Sequence, residues 1–202
     1  LPMSIRIPRD ISPEVVLLSI PDTLGDETGD GDYSYPLASD FAPHKGLWDI
    51  VSTEISATEY DLIFRLEFAE MTNVWHMRQG FCHEIIQIYI DQDRISGSGN
   101  LEMLPGANAE VTPDFAWEVA VSATGDAIFV QKETGEKLSA GCEASGNEET
   151  KKIEIIASKS LVGSDVADYG YVIVVGSQDG FGTGKFRDVD DEPGVWTLGG
   201  GA

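Results

Sequence analysis

Tyr60-Asp61-Leu62-Ile63-Phe64-Arg65-Leu66-Glu67-Phe68 places Leu62, Phe64, Leu66 and Phe68 on one side of an extended chain and Arg65 and Glu67 on the other. A period of two is that of a strand with one buried face. Ala57-Thr58-Glu59 is short and precedes it, and Trp48 to Ile55 reads as a further strand, so the two runs predict a hairpin. Outward from this pair, strand signals dominate. Glu14 to Ile20 is apolar and β-branched, and Pro21 stops it. Phe81 to Asp91 sets Ile86, Ile88 and Ile90 on one face. Its other face, Ile85, Gln87, Tyr89 and Asp91, is mixed enough to be a second buried or ligand-lined surface.

Phe115 to Ser122 and Asp126 to Lys132 flank the short turn Ala123-Thr124-Gly125. Lys152 to Ser158 alternates, and Tyr169 to Gly176 is the last strong strand. Glu133 to Thr150 is polar and reads as loop. About eight strands result, with turn signals between most of them and no amphipathic run of helix length. The fold predicted is all-β: one sandwich over residues 14–202, preceded by an extension, linker or extra edge strand over 1–13. In that extension Met3, Ile5 and Ile7 alternate with Ser4 and Arg6 between Pro2 and Pro8, a half-buried strand pattern suited to an edge.

The chain of 202 residues carries 35 acidic against 13 basic side chains, a net charge of −22. Such a surface argues against nucleic acid and anionic membranes, both of which attract basic patches. It suits a salty or cation-rich exterior. The apolar runs are far too short to span a bilayer. No signal peptide is visible, although a removed leader or a cut from a longer chain leaves the same sequence. Cys82 and Cys142 form no metal or redox motif. An extracellular disulfide and two buried thiols are both open.

Three groups of residues carry candidate chemistry. Asp22, Asp26, Glu27, Asp30 and Asp32 lie within eleven residues with three glycines among them. Like charges this close need solvent or a cation, and Ca²⁺ accepts six to eight oxygens in flexible geometry. The spacing is not that of an EF-hand, and the alternative is a solvated acidic loop. Aromatic residues come next: Trp48, Trp75, Trp117, Trp196, Tyr33, Tyr35, Tyr89, Phe181 and Phe186. Rings of this kind can stack on the C–H faces of sugars while indole donates a hydrogen bond. Trp75, in a polar segment, is the foremost candidate for an exposed platform; Trp48 and Trp117 read as core. Third, His76, Met77, His83, His44 and Met71 offer haem-ligand types, but no spacing pairs them. Gly180 to Lys185 imitates a phosphate loop and fails as one, because Asp179 replaces the first glycine and Phe186 the Mg²⁺-binding hydroxyl.

The tail Gly176-Ser177-Gln178-Asp179-Gly180-Phe181-Gly182-Thr183-Gly184-Lys185-Phe186-Arg187, closing on Val195-Trp196-Thr197-Leu198-Gly199-Gly200-Gly201, reads as a strand entering a long glycine-shaped loop. With Tyr33-Ser34-Tyr35-Pro36 and Gln87-Ile88-Tyr89-Ile90-Asp91, it resembles the C-terminal binding module of glucodextranases, a relative of the DOMON β-sandwiches. The resemblance spans roughly residues 15 to 201. It departs at Val74, where the family commonly has the proline of Asn-Pro-Trp, and at Cys82-His83-Glu84. It implies a jelly-roll or immunoglobulin-like sandwich and a non-catalytic module at the cell surface or outside the cell. The ligand it implies is a polysaccharide or a cell-envelope glycan, and the site residues are Trp75, Tyr33, Tyr35, Gln87 and Phe181. The family's corresponding Asp/Gly-rich stretch supports calcium at 22–32. A structural subunit, self-assembling through the N-terminal strand, is the competing class.

Overall fold

The structure is a computed structural model in which residues 12–28, 33–42, 44–182 and 184–200 are described. Along the chain run β1 (Val15–Pro21), β2 (Ile50–Ala57), β3 (Asp61–Phe68), β4 (Glu84–Asp91), β5 (Val119–Ala123), β6 (Ile128–Lys132) and β7 (Lys137–Leu138). They are followed by β8 (Cys142–Asn147), β9 (Lys152–Ser158), the single-turn α1 (Lys159–Val162), β10 (Gly170–Ser177), β11 (Val189–Asp190) and β12 (Leu198–Gly199). Two antiparallel five-stranded sheets form, in the orders β1-β2-β3-β9-β8 and β10-β4-β5-β6-β7. This is the all-β sandwich the alternation predicts.

Leu62, Phe64, Leu66 and Phe68 of β3 point inward and are at most 1% exposed. They meet Ile86, Ile88 and Ile90 of β4, Val119, Val121 and Ala123 of β5, and Ile153, Ile155 and Ala157 of β9. On the outer face of sheet 1, Arg65 gathers the carboxylates of Glu14, Glu54 and Glu154. Its guanidinium holds Glu14 well below the usual carboxylate range, at about 2. The outer face of β4 is buried as well. Tyr89, Trp117 and Ala120 pack beneath Leu104 and Val111 of the long 92–117 connection, which is why β4 is buried at every position.

One expectation fails. Residues 133–150 read as loop but contain β7 and β8. β8 is an edge strand, and alternate residues such as Glu143, Ser145 and Asn147 face solvent, so it lacks the apolar density of a central strand. Strand β2 starts at Ile50, two residues later than the Trp48 expected, and β5 starts at Val119 after a 3₁₀ turn at Pro113–Phe115. The extension expected over 1–13 lies outside the described residues up to Ile11. Both cysteines are buried free thiols. Burial pushes Cys82 up to about 11, so it is an inert core side chain.

Candidate functional site

Segments from distant parts of the chain converge on one end of the sandwich. They are the 33–49 connection into β2, the 71–83 connection into β4, and the tail after β10. Phe41, fully buried, is the hub. Its ring lies 6.1 Å from Trp48, 6.4 Å edge-on from Trp75, 6.2 Å edge-on from Trp196 and 4.5 Å from His83. Tyr35 stacks on Trp48 at 4.4 Å and 23°. A continuous row of rings therefore crosses this end of the molecule.

Arg187 fixes the tail against that row. Its side chain is fully buried and sits 4.7 Å over the Phe41 ring. It donates to Asp179 Oδ1 at 3.0 Å, Ser177 Oγ at 3.0 Å, the Trp196 carbonyl at 2.6 Å and the Gln178 carbonyl. Burial lowers its pKa and the Asp179 carboxylate opposes that shift. Gly176 is needed here because a Cβ would stand 2.2 Å from the Phe186 ring, which lies directly on the strand.

The row is open to solvent on two sides. On one, Trp75, Met77, Asp179, Gly180, Phe181 and Trp196 line a shallow depression of about 270 Å³. Phe181 is 73% exposed and Trp196 48%. The Trp75 indole is held by a 2.7 Å bond from its Nε1 to Asp40 Oδ2, and by His83, whose ring centre is 4.4 Å away. His83 is fully buried, with neither ring nitrogen bonded, on a backbone at φ +83°. Burial, then Arg187, lowers its pKa to about 4, so it is a neutral wedge under Trp75. On the other side, a cleft of about 710 Å³ runs past Glu27, Tyr33, Tyr35, Trp48, Asn108, Phe186 and Arg187. The expected ligand residues thus fall on two surfaces of one aromatic end: Trp75 with Phe181, and Tyr33 with Tyr35. Trp48, read as core, is half-buried and lines the cleft, because it precedes β2.

Gln87 is not among them. It is fully buried on the outer face of β4 and accepts from Tyr89 Oη at 2.5 Å. The sequence leaves this face open as a second buried or a ligand-lined surface; the 92–117 connection covers it, so it is the buried one and Gln87 is not a ligand residue.

The acidic loop is partly visible. Glu27 is a brace: it accepts from Tyr35 Oη at 2.6 Å and from the amides of Gly46 at 3.0 Å and Trp48 at 3.4 Å. Asp22 accepts from the Thr23 amide, and Asp26 is exposed. Asp30 and Asp32 lie outside the described residues. The residue missed in the sequence is Asp49, 2% exposed. Its Oδ2 accepts from the Gly25 amide at 2.7 Å and its Oδ1 is buried without a partner. Burial raises its pKa, and Glu27, Asp26 and Asp22 add to the rise. A buried carboxylate oxygen with no donor, faced by other carboxylates, is the environment a cation relieves. Elsewhere, Asp91, Asp93 and Glu118 bring carboxylate oxygens within 4.8 Å of one another. These already take amide donors from Arg94, Ile95 and Gln92.

The family model for the C-terminal, SLH-like binding module of glucodextranase matches residues 17–202. The chain belongs to that family. No curated protein matches it. The family match covers every element that builds the aromatic end and leaves out only the first sixteen residues. Among the described residues no helix is long and apolar enough to cross a membrane.

Proposed function

We propose that this glucodextranase-type module is a non-catalytic, extracellular or cell-surface carbohydrate-binding domain whose ligand stacks on the aromatic end of the sandwich. The observation that carries the reading is the depression formed by Trp75, Phe181 and Trp196. Phe181 is largely exposed and Trp196 half-exposed, although large apolar side chains normally gain by burial. Exposed rings held by buried scaffolding are what a sugar's C–H face requires. Asp179 at the rim and Asp40 behind Trp75 add acceptors for hydroxyl groups. Tyr33, with Asn108 in the adjoining cleft, extends the surface toward a longer chain.

Calcium belongs to the same reading. Asp49 and Asp26 are the residues we assign to hold it, with Asp22 beside them, whereas Glu27 is engaged by protein donors. The ion would neutralise the acidic loop and fix the strand of chain that carries Tyr33 and Tyr35. Retention on immobilised α-glucans and envelope polysaccharides tests the proposal. The wild-type chain is retained, Trp75→Ala elutes early while circular dichroism shows the fold kept, and failure of the wild type on every glycan removes the reading.

A further inference from the structure

Sheet 2 runs β10-β4-β5, so the end of β10 and the end of β5 lie on either side of the entry into β4. Three side chains meet there: Thr124 just after β5, Asp126 in the turn to β6, and Gln178 directly after β10. Thr124 and Gln178 are fully buried and Asp126 is half-buried. The Thr124 hydroxyl donates to Asp126 Oδ1 at 2.9 Å, and Gln178 Nε2 donates to that same oxygen at 3.3 Å. The Gly125 amide, next to Thr124, donates to Gln178 Oε1 at 3.4 Å. A Cβ at residue 125 would stand 2.2 Å from the Phe81 carbonyl oxygen, so only glycine lets that amide come so close. Backbone groups hold each partner in place. Thr124 Oγ1 accepts from the Ala127 amide at 3.1 Å, Asp126 Oδ1 from the Gly182 amide at 3.3 Å. Gln178 donates from Nε2 to the Gly180 carbonyl at 2.7 Å and from its amide to the His83 carbonyl at 2.6 Å.

A buried hydroxyl on a carboxylate, beside a carboxamide whose oxygen sits on a backbone N–H, supplies the parts of an acyl transfer: nucleophile, base, electrophile and oxyanion donor. We propose that Thr124 and Gln178 condense to an intramolecular ester that staples the β5–β6 turn to the tail. Asp126 Oδ1 takes the hydroxyl proton as Thr124 Oγ1 attacks Gln178 Cδ, and the carbonyl oxygen becomes an oxyanion held by the Gly125 N–H. The same carboxylate oxygen lies against Nε2 and hands the proton on to it. The C–N bond then breaks, the carbonyl re-forms and ammonia leaves. One C–O bond forms, one C–N bond is lost, and no oxidant, reductant or cofactor takes part. An amide is a slow acyl donor, but the fold fixes the reacting groups and the step occurs only once per molecule. Burial of both residues then keeps water from hydrolysing the ester. The consequence is mechanical. Both cysteines are free thiols, so no disulfide anchors the glycine-rich tail; the ester ties it down directly before the exposed Phe181. This chemistry stands independently of glycan binding.

Mass spectrometry of the purified full chain under denaturing conditions tests the proposal. The wild type is expected to be lighter than its sequence by one ammonia. Its tryptic peptides 95–132 and 160–185, which contain Thr124 and Gln178, should run as one species that hydroxylamine, an ester-cleaving nucleophile, separates. Gln178→Glu removes the leaving amine and Thr124→Val removes the nucleophile while filling the same space. Both variants should have their full sequence masses, with circular dichroism showing the fold kept; should Thr124→Val not fold, Gln178→Glu and the peptide map of the wild type decide. A wild type at its full sequence mass, the result for a brace made of hydrogen bonds alone, overturns the proposal. A deficit that survives Gln178→Glu, or that maps to peptides other than these two, overturns it equally.

Discussion

Replacing Arg187 by methionine isolates the contact that joins the tail to the aromatic hub. Methionine fills much of the same space, so the loss is of charge and donors more than of volume. Four acceptors lose their donor: Ser177 Oγ, Asp179 and the carbonyls of Gln178 and Trp196. Asp179 is 51% exposed and rehydrates, so its share is small. The two carbonyls lie beside a fully buried side chain, and a hydrogen bond from a charged donor contributes about 1.5–3 kcal/mol each. The cation over Phe41 adds about 1 kcal/mol. Against this stands relief from burying a guanidinium, a cost of several kcal/mol that methionine avoids. The balance expected is a destabilisation of about 2–4 kcal/mol, read by urea denaturation. For a domain of this size each kcal/mol is about 2–4 °C of melting temperature. Arg187→Lys should lose nearly as much, because one ammonium cannot serve the four directions. A change below about 0.5 kcal/mol, the range of ordinary surface substitutions, would refute the reasoning.

Other outcomes follow from the same physics. Phe64→Ala, deep between the sheets, should cost about 3–5 kcal/mol in the same denaturation assay. Glu84 is fully buried with neither oxygen bonded, and burial raises its pKa well above 4.5, so it is protonated in the fold. The unfolded chain gives up that proton above about pH 4.5 while the fold retains it, so stability from this group falls as pH rises. Glu84→Gln should therefore stabilise at pH 7, with the gain vanishing toward pH 4; a pH-independent effect would contradict this. Calcium at about a hundredfold excess over Kd should raise stability by about 2.7 kcal/mol. Asp49→Asn should abolish that gain while Asp91→Asn leaves it, and identical melting in chelator and millimolar calcium would remove the ion from the account.

The sandwich was legible where one face is apolar and the other is not, as in β3. The polar edge strand β8 was hidden because solvent accepts its outward residues, and the same patterning rule that finds β3 passes over it. Among site residues, Trp75 and Phe181 were legible as aromatics in polar, glycine-rich surroundings. Their partner Trp196 stood among the aromatics without a place, because the tail is brought back beside Trp75 by bonds distant in sequence: Arg187 to the Trp196 carbonyl, and the Leu37 and Ala38 amides to the carbonyls of Gly194 and Val195. Gln87 misled because the burial of the outer face of β4 depends on a loop folding over it. Asp49 went unseen because it sits alone between Trp48 and Ile50, away from the acidic run. An aspartate at the mouth of an apolar strand is the one signal it left.

The central claim is that glycan stacks on the rings at the end of the sandwich, and Trp196 tests it most directly. It is half-exposed and bonded to the scaffold through its backbone carbonyl, so its side chain can be removed without disturbing Arg187. Quantitative affinity electrophoresis of the wild type, Trp196→Ala and Trp75→Ala on a panel of α-glucans and envelope polysaccharides is the measurement. Retardation of the wild type on at least one glycan, lost in both variants while circular dichroism at the assay temperature shows the fold kept, is the result predicted. Retardation that survives both substitutions, or no retardation of the wild type on any glycan, would contradict it.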